Sequence, residues 1–222
     1  MLPPKPIFYN FAQELINSWF KKMLILHISD LHCETYMLEK LLSTDDAKRA
    51  DIIAFTGDAE CDGETVDLLQ SINKPVFFVP GNMDDIAVAK IFDRAGMNID
   101  GKVIRQADYA FVGLGGISVI SSLETAKEKL SKEKPGKIIV LSHHPPRNGV
   151  TDKARIGVSA GLVELRNFIL EYKPVLHMHG HIHESPSYTF IGDTLVVNPG
   201  PLKRGRYAII DVEARKAYLN TF

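Results

Sequence analysis

Five short apolar runs punctuate the chain from Met23 onward: Leu24 to Ile28, Ile52 to Phe55, Val76 to Val79, Ile138 to Leu141 and Val175 to Leu176. Each is continuous rather than alternating, the pattern of a strand buried on both faces. Between them lie amphipathic or charged stretches that predict helices near Met37 to Ala50, Glu64 to Ile72, Asp85 to Ala95, Ser122 to Lys134 and Leu162 to Tyr172. Ser121 followed by Glu124 reads as a capping box opening the fourth of these. Apolar strands separated by helices predict an α/β protein whose sheet is covered on both faces. Shorter β-like runs at Lys102 to Ile104, Tyr109 to Leu114, Thr194 to Val197, Tyr207 to Asp211 and Ala217 to Leu219 are joined by short turns. They predict antiparallel pairs, and hence a mixed sheet or two sheets.

Residues 1–22 stand apart from this alternation. After Pro3, Pro4 and Pro6, the positions Phe8, Phe11, Ala12, Leu15, Ile16 and Trp19 make one apolar helical face. The expectation is an amphipathic helical appendage that docks on the protein's own body, with a homodimer contact as the alternative. Residues 23–222 carry no linker, repeat or low-complexity block and read as one domain. Nothing in 222 residues approaches the ~18–20 apolar positions of a membrane span. A formal charge of −1 gives no strong nucleic-acid signal, since a broad basic face is lacking. Two cysteines, Cys33 and Cys61, are too few for a disulfide framework. They are expected to be a buried, inert thiol pair in a cytoplasmic protein.

The histidines change the picture. All eight fall in three clusters: His27 and His32, His143 and His144, and His177, His179, His181 and His183. Each long apolar run also ends in residues able to bind metal: Ser29-Asp30-Leu31-His32, Thr56-Gly57-Asp58, Gly81-Asn82-Met83-Asp84, His143-His144-Pro145-Pro146 and His177 to His183. Ligands bind at the carboxyl ends of strands in α/β sheets, so these residues are expected to surround one point. Two aspartates, one asparagine and four histidines are too many donors for a single tetrahedral ion. Two divalent ions sharing a carboxylate are implied, with manganese the leading choice and iron, zinc, nickel or cobalt as alternatives. Such a pair suits attack on a phosphoester by a hydroxide held between the ions.

The ordered series Asp-x-His, Gly-Asp, Gly-Asn-x-Asp, His-x-Pro and Gly-His-x-His resembles the calcineurin-like metallophosphoesterase superfamily, in particular its small bacterial and archaeal phosphodiesterases. The resemblance implies a four-layer αββα sandwich with mixed β-sheets and a dinuclear centre at the strand ends. It places Asp30, His32 and His183 on one ion, Asn82, His143 and His181 on the other, and Asp58 between them. Asp58, Asn82 and His143 are accordingly the expected catalytic residues. Where many members of the family carry a leaving-group histidine, this chain has Met83, which donates no proton.

Around this set, Asp84 is expected to orient Asn82 from behind, and His144, Arg147 and His179 are candidates for supporting or substrate contacts. His27 reads as a satisfied core histidine. The expected function is a dinuclear metal-dependent phosphoesterase acting on a small phosphoester, more on diesters than monoesters. The rival is a metal-binding scaffold with little catalysis, as in the retromer subunit that shares the implied fold. A nuclease is the third reading.

Overall fold

A computed structural model of the chain describes residues 22–61, 63–133, 135–155 and 157–222. The expected appendage at residues 1–22 lies outside the described residues apart from Lys22, which pairs with Asp211 at 2.8 Å. The chain runs through β1 (Leu24–Ile28), α1 (Thr35–Leu42), α2 (Asp45–Arg49), β2 (Ile52–Phe55), α3 (Gly63–Ser71), β3 (Val76–Phe78) and α4 (Ile86–Arg94). It continues through β4 (Val103–Gln106), β5 (Tyr109–Leu114), α5 (Val119–Glu133), β6 (Lys137–Ser142), α6 (Val163–Tyr172) and β7 (Leu176–Met178). β8 (Ser187–Ile191), β9 (Thr194–Asn198), β10 (Arg206–Asp211) and β11 (Lys216–Thr221) complete it.

These strands form two mixed sheets, ordered β11-β10-β1-β2-β3 and β4-β5-β6-β7-β9-β8. In the first, β1, β2 and β3 are parallel, with Leu26 opposite Ile53 and Ala54 opposite Phe77. In the second, β5, β6, β7 and β9 are parallel, with Ile139 opposite Leu176. The pairs β4–β5, β8–β9 and β10–β11 are antiparallel, as their short connections demand.

Alternation along each strand builds the layers. Ile25, Ala54, Phe77, Phe111, Ile139, Leu141, Met178, Val197 and Ile210 fill the space between the sheets. Their neighbours Leu26, Ile28, Ile53, Phe55 and Phe78 point the other way and pack with Leu38, Leu41, Leu69, Val88 and Phe92 of helices α1, α3 and α4. Val112, Ile138 and Val140 meet Leu123, Ala126, Leu130, Leu165 and Phe168 of α5 and α6 on the far side. The result is the expected αββα sandwich, and it explains why the central strands are apolar on both faces.

Local departures have identifiable causes. The helix expected over Met37 to Ala50 is two helices, because the Thr44 hydroxyl accepts the Ala47 N–H and caps a new start. Ser121 is no cap: α5 begins at Val119, and Ser121 lies inside its first turn with its carbonyl accepting the Thr125 hydroxyl. β8 has no apolar signature because it is an edge strand that exposes Tyr188 and Phe190 and turns Ser187 and Thr189 inward. The cysteines are also corrected. Cys33 and Cys61 are joined by a disulfide, with Cys33 exposed, rather than forming a buried thiol pair.

Candidate metal centre

β1, β2 and β3 run parallel in one sheet and β6 and β7 in the other, so the residues that follow them gather at one edge of the sandwich. The loops after β1 and β2 are then laced together by the backbone. Asp30 N–H donates to the Gly57 carbonyl at 2.9 Å, His32 N–H to Asp58 at 3.0 Å and Cys33 N–H to Ala59 at 3.0 Å. Reaching this arrangement forces non-glycine residues into the left-handed region: Asp30 (φ 54°), His32 (48°), Cys33 (64°), Asp58 (55°), Glu60 (59°) and His181 (69°). Each such residue costs about 1–3 kcal/mol and persists only where its surroundings over-determine it. Gly57, at φ 93°, also needs its missing side chain, since a Cβ there would lie 2.6 Å from the Gly81 nitrogen and 2.8 Å from His143 Nδ1.

Seven side chains converge at this edge. His183 Nε2 lies 3.1 Å from Asp30 Oδ1 and 3.3 Å from His32 Nε2. His143 Nε2 lies 2.9 Å from Asn82 Oδ1 and 3.2 Å from His181 Nδ1. Asp58 Oδ2 sits between the two groups, 3.9 Å from His32 Nε2 and 3.5 Å from His143 Nε2. Asp30, His32 and His183 can hold one ion, and the donor atoms of Asp30, Asp58 and His143 also lie within 4.8 Å of one another.

The chemistry of this donor set fits divalent metal. His143 Nδ1 faces the Thr56 carbonyl at 2.8 Å, so it carries the proton and leaves the Nε2 lone pair pointing inward. His32 Nδ1 faces the Glu60 carboxylate at 2.5 Å, which fixes the same tautomer. The inward Nε2 atoms of His143 and His32 are therefore lone pairs that face the oxygens of Asn82 and Asp58, an arrangement that a cation relieves. Burial pushes His143 down to about 3 and His181 down to about 4, so both present neutral imidazole at neutral pH. Asp30 stays ionised, near 2: burial opposes this, and the hydrogen bond and charge of His183 with the charge of His143 outweigh it. Burial pushes Asp58 up to about 7, against the Met83 N–H bond and with the help of Asp30, Asp84 and Glu60. A site that strips protons from histidines while crowding carboxylates is built for positive charge other than protons.

The remaining candidates take clear places. Asp84 is buried and grips backbone rather than the Asn82 amide: it accepts Asp58 N–H at 2.9 Å, Gly81 N–H at 2.7 Å and Glu60 N–H at 2.7 Å. It therefore fixes the loops that carry Asp58 and Asn82. His144 is half-buried, its ring edge-on to His181 at 4.7 Å, beside the ligand-type cluster. His179 is fully buried and bonds Thr151 Oγ1 at 2.7 Å, anchoring the loop between β6 and α6. Asp152 shapes that loop by accepting Gly149 N–H, Gly161 N–H and the Ser159 hydroxyl. Arg147 is exposed and lines a shallow hollow with Asn148, Gly149, Ser159 and Arg166. His27 is only half satisfied: Nε2 meets Thr56 Oγ1 at 3.0 Å, while Nδ1 is buried without a partner among the described residues. Met83 is 57% exposed, and its N–H donates to Asp58 Oδ1 at 2.9 Å.

Two functional positions escape sequence reasoning altogether. Glu60 reaches His32 only because residues 58 and 60 are left-handed, and the Thr56 partner of His143 is a backbone carbonyl, which no residue type signals.

Over residues 23–185 the chain matches the model of the calcineurin-like phosphoesterases, and it belongs to that family. It is 28% identical over 221 residues to an uncharacterised protein of Methanocaldococcus jannaschii, covering 91% of this chain and 98% of that protein. Its fold is similar to a crystal structure from Thermus thermophilus at 20% identity and TM-score 0.73, covering 90% of this chain and 99% of the other. It is also similar to a structure described as a novel archaeal phosphodiesterase, at 17% identity and TM-score 0.59, covering 90% and 100%.

Proposed function

We infer that the protein is a dinuclear metal-dependent phosphodiesterase. The observation that carries the reading is the position of Asp58 between the inward Nε2 atoms of His32 and His143, whose outer nitrogens face Glu60 and Thr56. Asp30, His32 and His183 would hold one ion and Asn82, His143 and His181 the other, with Asp58 serving both. When bound, the ions, manganese foremost, would supply positive charge against the phosphoryl oxygens and acidify a water molecule. Glu60 and Thr56 keep the imidazoles in the binding tautomer. Asp84 holds the Asp58 and Gly81 backbones so that the donors are set before substrate arrives. His144, half-buried beside His181, is the side chain placed to meet a substrate oxygen.

Met83 selects among substrates. It offers no proton to a departing alkoxide, so esters whose leaving group departs as a stable anion are favoured over those needing an acid. The structure of similar fold described as an archaeal phosphodiesterase supports the diester part of the reading. Met83 also favours a second reading, a metal-holding scaffold with little turnover. One assay separates them: release of p-nitrophenol from bis-p-nitrophenyl phosphate with Mn²⁺, then with EDTA. The phosphodiesterase reading requires Mn²⁺-dependent release that EDTA abolishes and that Asp58→Asn lowers by at least about 10²-fold. Metal binding without any release would establish the scaffold instead.

A further inference from the structure

The disulfide lies against the candidate metal centre in an arrangement that none of the chemistry above uses. Cys33 follows His32 and Cys61 follows Glu60, and these are the two residues whose side chains meet at 2.5 Å. The cross-link, with a Cα–Cα distance of 5.0 Å, therefore closes a small ring around the His32–Glu60 contact. Three of the four residues in that ring, His32, Cys33 and Glu60, are left-handed. Apart from the cross-link, the strained segments are tied to each other by the Glu60 contact and the backbone bonds His32 N–H to Asp58 and Cys33 N–H to Ala59. Conformations of this kind relax when their restraints are removed.

The pair is also within reach of solution. Cys33 is exposed and Cys61 half-buried. Cys61 also lines a surface hollow of about 360 Å³ with Glu60, Asp85, Ala87, Val88 and Ile91. Accessible disulfides are the labile and regulatory ones, in contrast to those sealed in a core.

We propose that Cys33 and Cys61 form a reversible oxidation site that sets metal affinity at the Asp30–His32–His183 position through the His32–Glu60 contact. The inference rests on the metal-centre reading above. The co-reactant is a low-molecular-weight disulfide. One cysteine thiolate attacks a sulfur of that disulfide, forming a mixed disulfide and expelling one small thiol. The second cysteine thiolate attacks the protein sulfur of the mixed disulfide, the Sγ–Sγ bond forms and the second small thiol leaves. The protein gives up two electrons and two protons, and the small disulfide becomes two thiols. A dithiol or phosphine reductant reverses the change. In the oxidised form the ring holds Glu60 on His32 Nδ1. In the reduced form that hold is lost, as when a supporting partner of a metal ligand is removed, which costs about 10–100-fold in affinity.

The test uses the whole protein, reduced with a phosphine or oxidised with glutathione disulfide, then desalted and stripped of metal. Thiol counting under denaturing conditions defines each state, and Mn²⁺ binding is followed by isothermal titration calorimetry. The oxidised protein should bind two Mn²⁺ per chain, and reduction should weaken one of them at least about tenfold while sparing the other. A Cys33→Ser, Cys61→Ser double variant should bind like the reduced protein under both treatments. Glu60→Gln should weaken the same ion with the disulfide intact and no free thiols. Equal Mn²⁺ affinity in the two states of the wild-type protein overturns the proposal, as does a redox response that survives in the double serine variant. Failure of both states to bind Mn²⁺ overturns the metal-centre reading itself, and the oxidation proposal with it.

Discussion

Asp84→Asn is the substitution whose consequences the geometry specifies most fully. The side chain is 4% exposed, and its two oxygens accept three backbone N–H groups, from Asp58, Gly81 and Glu60, at 2.9, 2.7 and 2.7 Å. An asparagine can fill the same space but keeps one oxygen. In its better orientation the amide retains the two bonds to Asp58 and Gly81 and turns an NH₂ toward the Glu60 N–H. One charge-assisted bond is then lost, the other two weaken, and a buried N–H has no acceptor. At about 1.5–3 kcal/mol for a bond to a charged group, the total loss is about 2–4 kcal/mol. For a chain of this length that lowers Tm by about 5–15 °C, measured on metal-free protein by differential scanning calorimetry. Mn²⁺ affinity should fall about 10–100-fold, because the loops carrying Asp58 and Asn82 lose their common anchor. Asp93→Asn is the control. It removes an exposed pair with Lys102, 54% and 43% accessible, and should move Tm by less than about 2 °C. If Asp84→Asn leaves Tm within about 2 °C of wild type and Mn²⁺ affinity intact, the three N–H bonds do not organise the site.

Further outcomes follow from single side chains. Met83→His should restore a proton donor beside Asp58, raising kcat on esters with poor leaving groups such as phenyl phosphate by about 10²-fold while leaving p-nitrophenyl esters nearly unchanged; equal gains on both would show that the imidazole acts otherwise. Burial and bonds to the acidic partners Glu213 and Asp46 push Tyr109 and Tyr207 up to about 12 from an unfolded value of 10.0. Both phenols stay protonated in the native state, so their contribution is full below pH 10 and is lost as pH rises toward 12. Chemical denaturation at pH 9 to 12 should therefore show stability falling across that window, and a Tyr109→Phe, Tyr207→Phe double variant should flatten the fall; an equally steep loss in the variant would assign it elsewhere.

What the chain reveals of itself in sequence follows the physics of each part. The five apolar runs are legible because a strand covered on both faces must be apolar throughout, and their parallel direction brings every following loop to one edge. That is why Asp30, Asp58, Asn82, His143 and His181, up to 151 residues apart, can be grouped by their places at the ends of those runs. The edge strand β8 is illegible for the converse reason, since it exposes its aromatic residues and inverts the usual pattern. Thr44 is hidden inside a helical periodicity because a cap is a property of one hydroxyl and not of a repeat. Glu60 and the Cys33–Cys61 bond depend on left-handed backbone at His32, Cys33, Asp58 and Glu60, a conformation that these residue types do not advertise. Asp84 is legible as a supporting residue by its place in Gly-Asn-x-Asp, yet its partners are backbone amides, which spacing does not reveal.

In the proposed centre two ions share Asp58 at the strand ends. Crystals of the protein grown with Mn²⁺ and measured at the manganese absorption edge test it directly through an anomalous difference map. Two peaks about 3.5–4 Å apart are expected, one against Asp30, His32 and His183, the other against Asn82, His143 and His181, with the Asp58 carboxylate between them. A single peak, or a pair that leaves Asp58 uncoordinated, would contradict it.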